Sequence, residues 1–145
     1  MRNEDKMKNF IIGLIGFGVV GKAAYNTLST KYKVVKYDKY MNLNEFSDLK
    51  QCDFVFVVVP TPFDCKSNKV DDSAILESLE KLENINYSGI VIIKSTVPPG
   101  SCQKYKSNYD LEIVFNPEFL RESTTPNEDF ANQDTIVIGS DSSTI

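Results

Sequence analysis

The chain contains no histidine in its 145 residues. Imidazole acid–base catalysis and histidine-ligated metal sites are therefore excluded. It also has only three cysteines, Cys52, Cys65 and Cys102, and none of them form a C-x-x-C pair. We therefore predict no metal site and no disulfide framework, and we expect a reducing, cytoplasmic location in which the thiols are structural or incidental.

The sequence also lacks an excess of basic charge and a long uninterrupted apolar run. Its 16 lysines and arginines face 20 acidic residues, a net charge of −4 that argues against a nucleic-acid partner. The apolar run FIIGLIGFGVVG is broken by glycines and is too short to span a bilayer, so we expect no membrane partner. Residues 1–9 mix acids with bases, unlike a signal peptide, and are predicted to be a flexible leader.

Short apolar runs alternate with segments of helical spacing along the rest of the chain. This pattern predicts an α/β fold: a doubly wound, mostly parallel six-stranded Rossmann sheet with helices on both faces. We expect residues 10–140 to form this domain and residues 141–145 to begin a connection to a second domain. The predicted strands are 10–15, 33–37, 54–59, 90–94, 111–115 and 135–139, and the predicted helices are 19–29, 43–49, 73–82 and 100–106.

A glycine-rich hexamer, GFGVVG, follows the first predicted strand and opens the first predicted helix. Gly16 would allow the tight turn, Gly18 the close approach of a pyrophosphate, and Gly21 close packing of helix on sheet. The alternative is a strand–helix corner that binds nothing. The candidate cofactor-binding residues of this turn are Gly16, Phe17, Gly18, Val19, Val20 and Gly21.

An acidic residue, Asp38, stands at the end of the second predicted strand, about 20 residues beyond the turn. A carboxylate there accepts hydrogen bonds from ribose hydroxyls and repels a 2′-phosphate, so it favours NAD over NADP. The neighbouring Lys39 weakens this preference because a cation could tolerate the phosphate. The alternative reading of Asp38 is an ordinary turn residue.

Proline-rich segments, VVVPTP and KSTVPPG, follow the third and fourth predicted strands. Together with GLIGFGVVG and NPEFLRES, and in this order, they resemble the NAD-binding domain of the UDP-glucose/GDP-mannose dehydrogenase family. The resemblance extends from Phe10 to Gly139, and NPEFLRES is its most specific motif. In that family NAD oxidises a sugar C6 alcohol to a carboxylate in two steps through a cysteine-bound thioester.

The resemblance implies roles for named residues. Glu118 would be the acid–base residue that activates water, and Thr96 would orient that water near the cofactor. Further cofactor contacts would come from Pro60, Thr61, Ser95, Thr96 and Glu122. The sugar-nucleotide substrate would lie along Glu118, Phe119, Leu120, Arg121 and Glu122.

The spacing of the two glutamates has a physical reading of its own. If the residues after Pro117 turn helically, Glu118 and Glu122 share one face, where two carboxylates raise one pKa and suit acid–base work. Arg121 would moderate this repulsion or hold a phosphate. The alternative is a helix start whose acids are favoured by the helix dipole.

The chain departs from the family pattern in ways that limit the expected activity. Ser123 stands where the family has glycine, and the cysteine nucleophile of the family belongs to a later domain that this sequence does not contain. We therefore expect a chain that binds NAD and is inactive alone, with a missing C-terminal substrate domain and a possible homo-oligomeric assembly. Two other interpretations stay open: a stand-alone NAD(H)-binding module, and the cofactor domain of a related hydroxyacid dehydrogenase.

Overall fold

A computed structural model of the chain describes residues 9–118 and 125–141. Its strands, in chain order, are β1 (Ile11–Ile15), β2 (Lys33–Tyr37), β3 (Phe54–Val57), β4 (Phe63–Asp64), β5 (Lys69–Val70), β6 (Ile90–Ile93) and β7 (Glu112–Phe115). Its helices are α1 (Val19–Leu28), α2 (Ser73–Asn84), α3 (Ser101–Asn108) and α4 (Pro126–Ala131), and a 3-10 helix covers Phe46–Gln51.

The main sheet has five strands in the order β2-β1-β3-β6-β7, and every neighbouring pair is parallel. The predicted α/β class with a doubly wound parallel sheet is confirmed. The interior strands β3 and β6 bury Val55 and Val91 completely, as expected for continuously apolar runs. These residues share a hydrophobic core with Ile75, Leu79 and Leu82 of α2.

The sixth predicted strand, 135–139, is not a strand in the structure. Gly139 makes one isolated antiparallel bridge to Phe115, while Ile136 and Ile138 stay more than half exposed. The next pairing position along β7 falls on Pro117, which has no N–H to donate to a ladder. The side-chain amide of Asn116 donates to the carbonyl of Val137 instead, at 2.8 Å.

The predicted helices are present with small changes at their ends. The segment predicted at 43–49 is the 3-10 helix, and α2 extends beyond its predicted end. Asp72 is the N-cap of α2, but its carboxylate accepts a hydrogen bond from the Tyr105 hydroxyl at 2.7 Å rather than from the helix. Asp71 accepts from the Ser73 N–H instead. The β4–β5 hairpin and α4 were not predicted.

The order of the strands differs from the usual dinucleotide-binding order, in which a further strand lies outside the second one. Here β2 is at the edge of the described sheet, and the chain returns to β3 through the 3-10 helix. Asn44 lies beside this edge: its N–H donates to the Lys36 carbonyl, and its Oδ1 accepts from the Lys36 N–H, both at 3.1 Å. The point where strand order reverses lies between β1 and β3, which is where such sheets bind ligands.

Within the two described ranges, no helix has both the length and the apolar character needed to cross a bilayer.

Candidate functional site

The turn from β1 into α1 requires glycine at two of its positions. Gly16 has a φ of +97°, and a Cβ added to it would lie 2.2 Å from the carbonyl oxygen of Val58. A Cβ on Gly21 would lie 2.2 Å from the carbonyl oxygen of Gly16. The turn therefore packs against the chain leaving β3, and α1 packs against the turn, with no room for a side chain at either contact.

Gly18 differs from these two glycines because no neighbouring atom of the chain excludes a side chain at its position. Its φ is −75°, which any residue can adopt, and a Cβ there would meet no atom within 4 Å. Gly18 is the N-cap of α1, and the first turn of that helix carries no acidic residue. Open space therefore adjoins the free N–H groups and the positive dipole end of α1, the arrangement that binds phosphate groups.

Asp38 holds the glycine turn in place. Its Oδ2 accepts a hydrogen bond from the Phe17 N–H at 2.8 Å, and its Oδ1 accepts from the Tyr40 N–H at 2.9 Å. An ionised carboxylate has about four acceptor positions, so two remain for the hydroxyls of a ribose. The residue therefore fits both readings made from the sequence, a turn acid and a ribose acceptor.

The two proline-rich loops are joined by hydroxyl groups. Ser95 is buried; its Oγ accepts from the Val59 N–H at 2.9 Å and donates to the Val59 carbonyl at 2.7 Å. Thr61 donates its hydroxyl to the carbonyl of Thr96 at 2.7 Å. The hydroxyl of Ser95 thus serves the fold, while Thr96 is exposed and lines the crevice between the glycine turn and these two loops.

A buried ion pair closes the other end of the crevice, at the ends of β6 and β7. The side chain of Lys94 is 4% exposed, and its Nζ lies 3.0 Å from Oε2 of Glu118, whose side chain is 9% exposed. The same Nζ donates to Asn116 Oδ1 at 2.9 Å and lies 5.4 Å from the ring centroid of Phe130. Gln133 donates to the other oxygen, Glu118 Oε1, at 2.7 Å. The carboxylate is held from two sides inside the site.

A second set of charged residues lies at the Asp38 end of the crevice. Glu77 of α2 accepts from Lys39 at 2.8 Å and from Lys81 at 2.7 Å. Hydrogen bonds from Lys39 and then Lys81 lower the pKa of Glu77 to about 2, and the same contacts raise the pKa values of both lysines. The Lys81 ammonium also lies 5.7 Å from the ring centroid of Phe46.

These groups surround one cavity of about 760 Å³, a volume typical of cofactor sites. Every predicted site residue that the structure describes lines it: Gly16, Phe17, Gly18, Val19, Val20, Gly21, Asp38, Pro60, Thr61, Ser95, Thr96 and Glu118. Phe119, Leu120, Arg121 and Glu122 lie outside the described residues. None of the three cysteines, all of which are described, lines this cavity.

The sequence reasoning missed Lys94 and Glu77 as members of the site. Lys94 had a usable signal, since a lysine at the end of a buried strand needs a carboxylate partner nearby. Glu77 had a weaker one, its spacing of four from Lys81, which many solvent-facing helix pairs share.

The model for the "UDP-glucose/GDP-mannose dehydrogenase family, NAD binding domain" matches residues 25–145. The chain belongs to this family. The match begins after the glycine turn, so the assignment of that turn depends on its geometry. Membership also identifies NAD as the cofactor, in agreement with the sequence prediction.

Known proteins support the same family and fold. The UDP-glucose 6-dehydrogenase of Rickettsia bellii is 35% identical over 121 residues, covering 79% of this chain and 26% of the relative. The matched part of this chain therefore spans about a quarter of that relative's length.

Solved structures show the fold alone, because their sequence identity to this chain is low. A UDP-glucose dehydrogenase from Pyrobaculum islandicum superposes with a TM-score of 0.80 at 21% identity, over 95% of this chain and 42% of the other. A GDP-mannose dehydrogenase from Pseudomonas aeruginosa gives 0.72 at 21% identity, over 89% and 40%.

Proposed function

We propose that this chain is the NAD-binding part of a cytoplasmic nucleotide-sugar 6-dehydrogenase, which oxidises UDP-glucose or a related sugar nucleotide to the uronate. The observation that carries the proposal is the shared crevice, in which the glycine turn and Asp38 stand at one end and the buried Glu118 at the other. Residues 10–140 are the cofactor-binding domain in this proposal.

The residues of the crevice fit NAD. Gly18 leaves space for the pyrophosphate beside the start of α1, and Asp38 has acceptor positions free for the ribose. Pro60, Thr61, Ser95 and Thr96 would contact the nicotinamide half. When bound, NAD supplies the hydride acceptor of the oxidation.

Glu118 would be the acid–base residue, holding or releasing a proton at one carboxylate oxygen. Lys94 and Gln133 fix that carboxylate, so its direction is set before any ligand arrives. Thr96, with its carbonyl already engaged by Thr61, would place its hydroxyl toward the reacting water. Fixed polar groups need no rearrangement during the reaction, which is how such sites lower a barrier.

The substrate end of the site would be completed by Phe119, Leu120, Arg121 and Glu122 and by chain beyond this sequence. The Rickettsia relative, 26% of which is covered by the match to this chain, is a UDP-glucose 6-dehydrogenase. A C-terminal substrate domain with the nucleophilic cysteine, and assembly as a homo-oligomer, belong to the same proposal. The chain alone should then form no NADH from UDP-glucose, and measurable NADH would contradict this part.

The test of NAD binding uses Gly18→Ala. The new methyl group meets no protein atom but enters the space proposed for the pyrophosphate. We expect calorimetric titration to show at least about tenfold weaker NAD binding, with a stability loss of no more than about 1 kcal/mol from the N-cap change.

The matched control is Gly139→Ala, which lies outside the crevice and makes only an ordinary contact with Phe115 at 3.7 Å. It should leave NAD affinity unchanged. Equal NAD affinity in wild type and Gly18→Ala would show that the turn does not hold the pyrophosphate.

A further inference from the structure

The adenosine end of the crevice carries more cations than an NAD site needs. Asp38 marks this end, because it stands where a ribose acceptor belongs. Two lysines, Lys39 and Lys81, line the same part of the cavity. A 2′-phosphate on the ribose would find a favourable partner in a free ammonium group here, so the lysines oppose the preference that Asp38 creates.

Glu77 engages both of these lysines. Its Oε2 lies 2.8 Å from Lys39 and its Oε1 lies 2.7 Å from Lys81, so each oxygen serves one ammonium group. The Lys39 contact joins the loop after β2 to α2, and Lys81 is one helical turn beyond Glu77. Counting Asp38, the two carboxylates balance the two ammonium groups at this end.

We propose that Glu77 is a specificity-determining residue, which favours NAD over NADP by withholding Lys39 from a 2′-phosphate. The inference rests on the proposed NAD site. A 2′-phosphate must either displace Glu77 from Lys39 or share that ammonium group with it, and in both cases it stands near two carboxylates, whereas the hydroxyl of NAD disturbs neither contact. Asp38 repels the phosphate directly, and Glu77 removes the cation that would offset that repulsion.

The third lysine of the cavity, Lys94, does not substitute for Lys39. It lies at the ends of β6 and β7, buried in its contact with Glu118. Among the residues that the structure describes around the cavity, the balance near Asp38 therefore depends on Glu77, Lys39 and Lys81.

The test measures the ratio of NAD to NADP dissociation constants by calorimetry at one ionic strength. In Glu77→Gln, which keeps the side-chain shape and removes the charge, we expect about tenfold tighter NADP binding and NAD binding within about threefold of wild type. In the double variant Glu77→Gln/Lys39→Ala the gain in NADP affinity should disappear, because the freed ammonium is gone.

Glu80→Gln is the matched control, since Glu80 is an exposed glutamate of the same helix that does not line the cavity. It should leave the ratio unchanged, and thermal unfolding of each variant checks that the fold is retained. An unchanged ratio in Glu77→Gln, or a gain that persists without Lys39, would overturn the inference while NAD binding by wild type upheld the site. If wild type bound neither nucleotide, the proposed function and this inference would both be wrong.

Discussion

At the scale of single residues, the buried Lys94–Glu118 pair has a large energetic consequence. Two charges that are almost fully buried stabilise each other only while both are present, because removal of one leaves the other without the opposite charge that it faces. The pair is thus a structural requirement of the crevice as well as part of its proposed chemistry.

We predict that Lys94→Met lowers the free energy of unfolding by about 3–5 kcal/mol, since it removes the ammonium group that faces the nearly buried Glu118 carboxylate. Urea unfolding measures this change. The double variant Lys94→Met/Glu118→Gln should recover part of the loss, because no buried charge remains.

Lys106→Met is the control for that experiment, because Lys106 pairs with Glu112 at 3.5 Å in a more exposed position. Exposed pairs contribute about 0–1 kcal/mol, so this variant should be close to wild type. A Lys94→Met variant as stable as Lys106→Met would contradict the assigned role of the buried pair.

The sequence predicted which residues line the cavity better than it predicted their contacts. The glycine turn and Asp38 were predicted from their spacing, and Glu118 from the resemblance to the family; all of them line the cavity. Asp38 also holds the Phe17 N–H, and Glu118 pairs with Lys94 rather than with a neighbour in sequence. Such contacts join residues far apart in the chain, so no local pattern predicts them.

At the scale of elements, the prediction succeeded where burial on both faces dictates composition. β3 and β6 were recognised by their apolar residues, and the bounds of β2, a less buried edge strand, also matched the predicted run. The run at 135–139 has the same composition but only one bridge to β7, since Pro117 interrupts the ladder. The β4–β5 hairpin escaped prediction because its strands have two residues each, although Asn68 with its φ of 54° marks the turn.

The Glu77–Lys39 ion pair, which joins α2 to the loop after β2, is predicted to weaken in acid. The pKa of Glu77 in the folded chain is about 2, below its ordinary value of 4.5, so its stabilising contribution is complete above pH 4.5 and is lost as pH falls toward 2. The effect should be small and salt-sensitive, because both partners are well exposed to solvent.

Urea unfolding of wild type and Glu77→Gln at a series of pH values measures this effect. The difference in unfolding free energy between the two should shrink across that acid range, whereas Glu80→Gln should show no such convergence. If the difference in unfolding free energy stayed constant down to pH 2, the Glu77–Lys39 ion pair would not stabilise the fold.

At the scale of the whole molecule, the three cysteine thiols differ in how far the fold buries them. Cys52 is buried in the core, and Cys65 is exposed in the hairpin turn. Burial, and next the charge of Asp53, raises the pKa of Cys52 to about 11, so the fraction of reactive thiolate at neutral pH is very small. Cys102 is half-buried, and burial raises its pKa as well.

We predict that iodoacetamide modifies Cys65 first in the native chain, Cys102 more slowly and Cys52 only on unfolding. Mass spectrometry of peptides after labelling, with and without urea, follows all three sites in one sample. Labelling of Cys52 at the rate of Cys65 in the native chain would show that the core opens locally near the 3-10 helix.

The edge of the sheet at β2 has a consequence for how copies of the chain meet. An edge strand exposes N–H and C=O groups on which the strand of another molecule can build, the usual starting point of aggregation. Asn44 already uses both such groups of Lys36, and the lysines at 33 and 36 place charge along the same strand. Where the usual dinucleotide-binding order adds a strand, this edge is covered at Lys36 by the backbone N–H and the side-chain amide of one residue, Asn44.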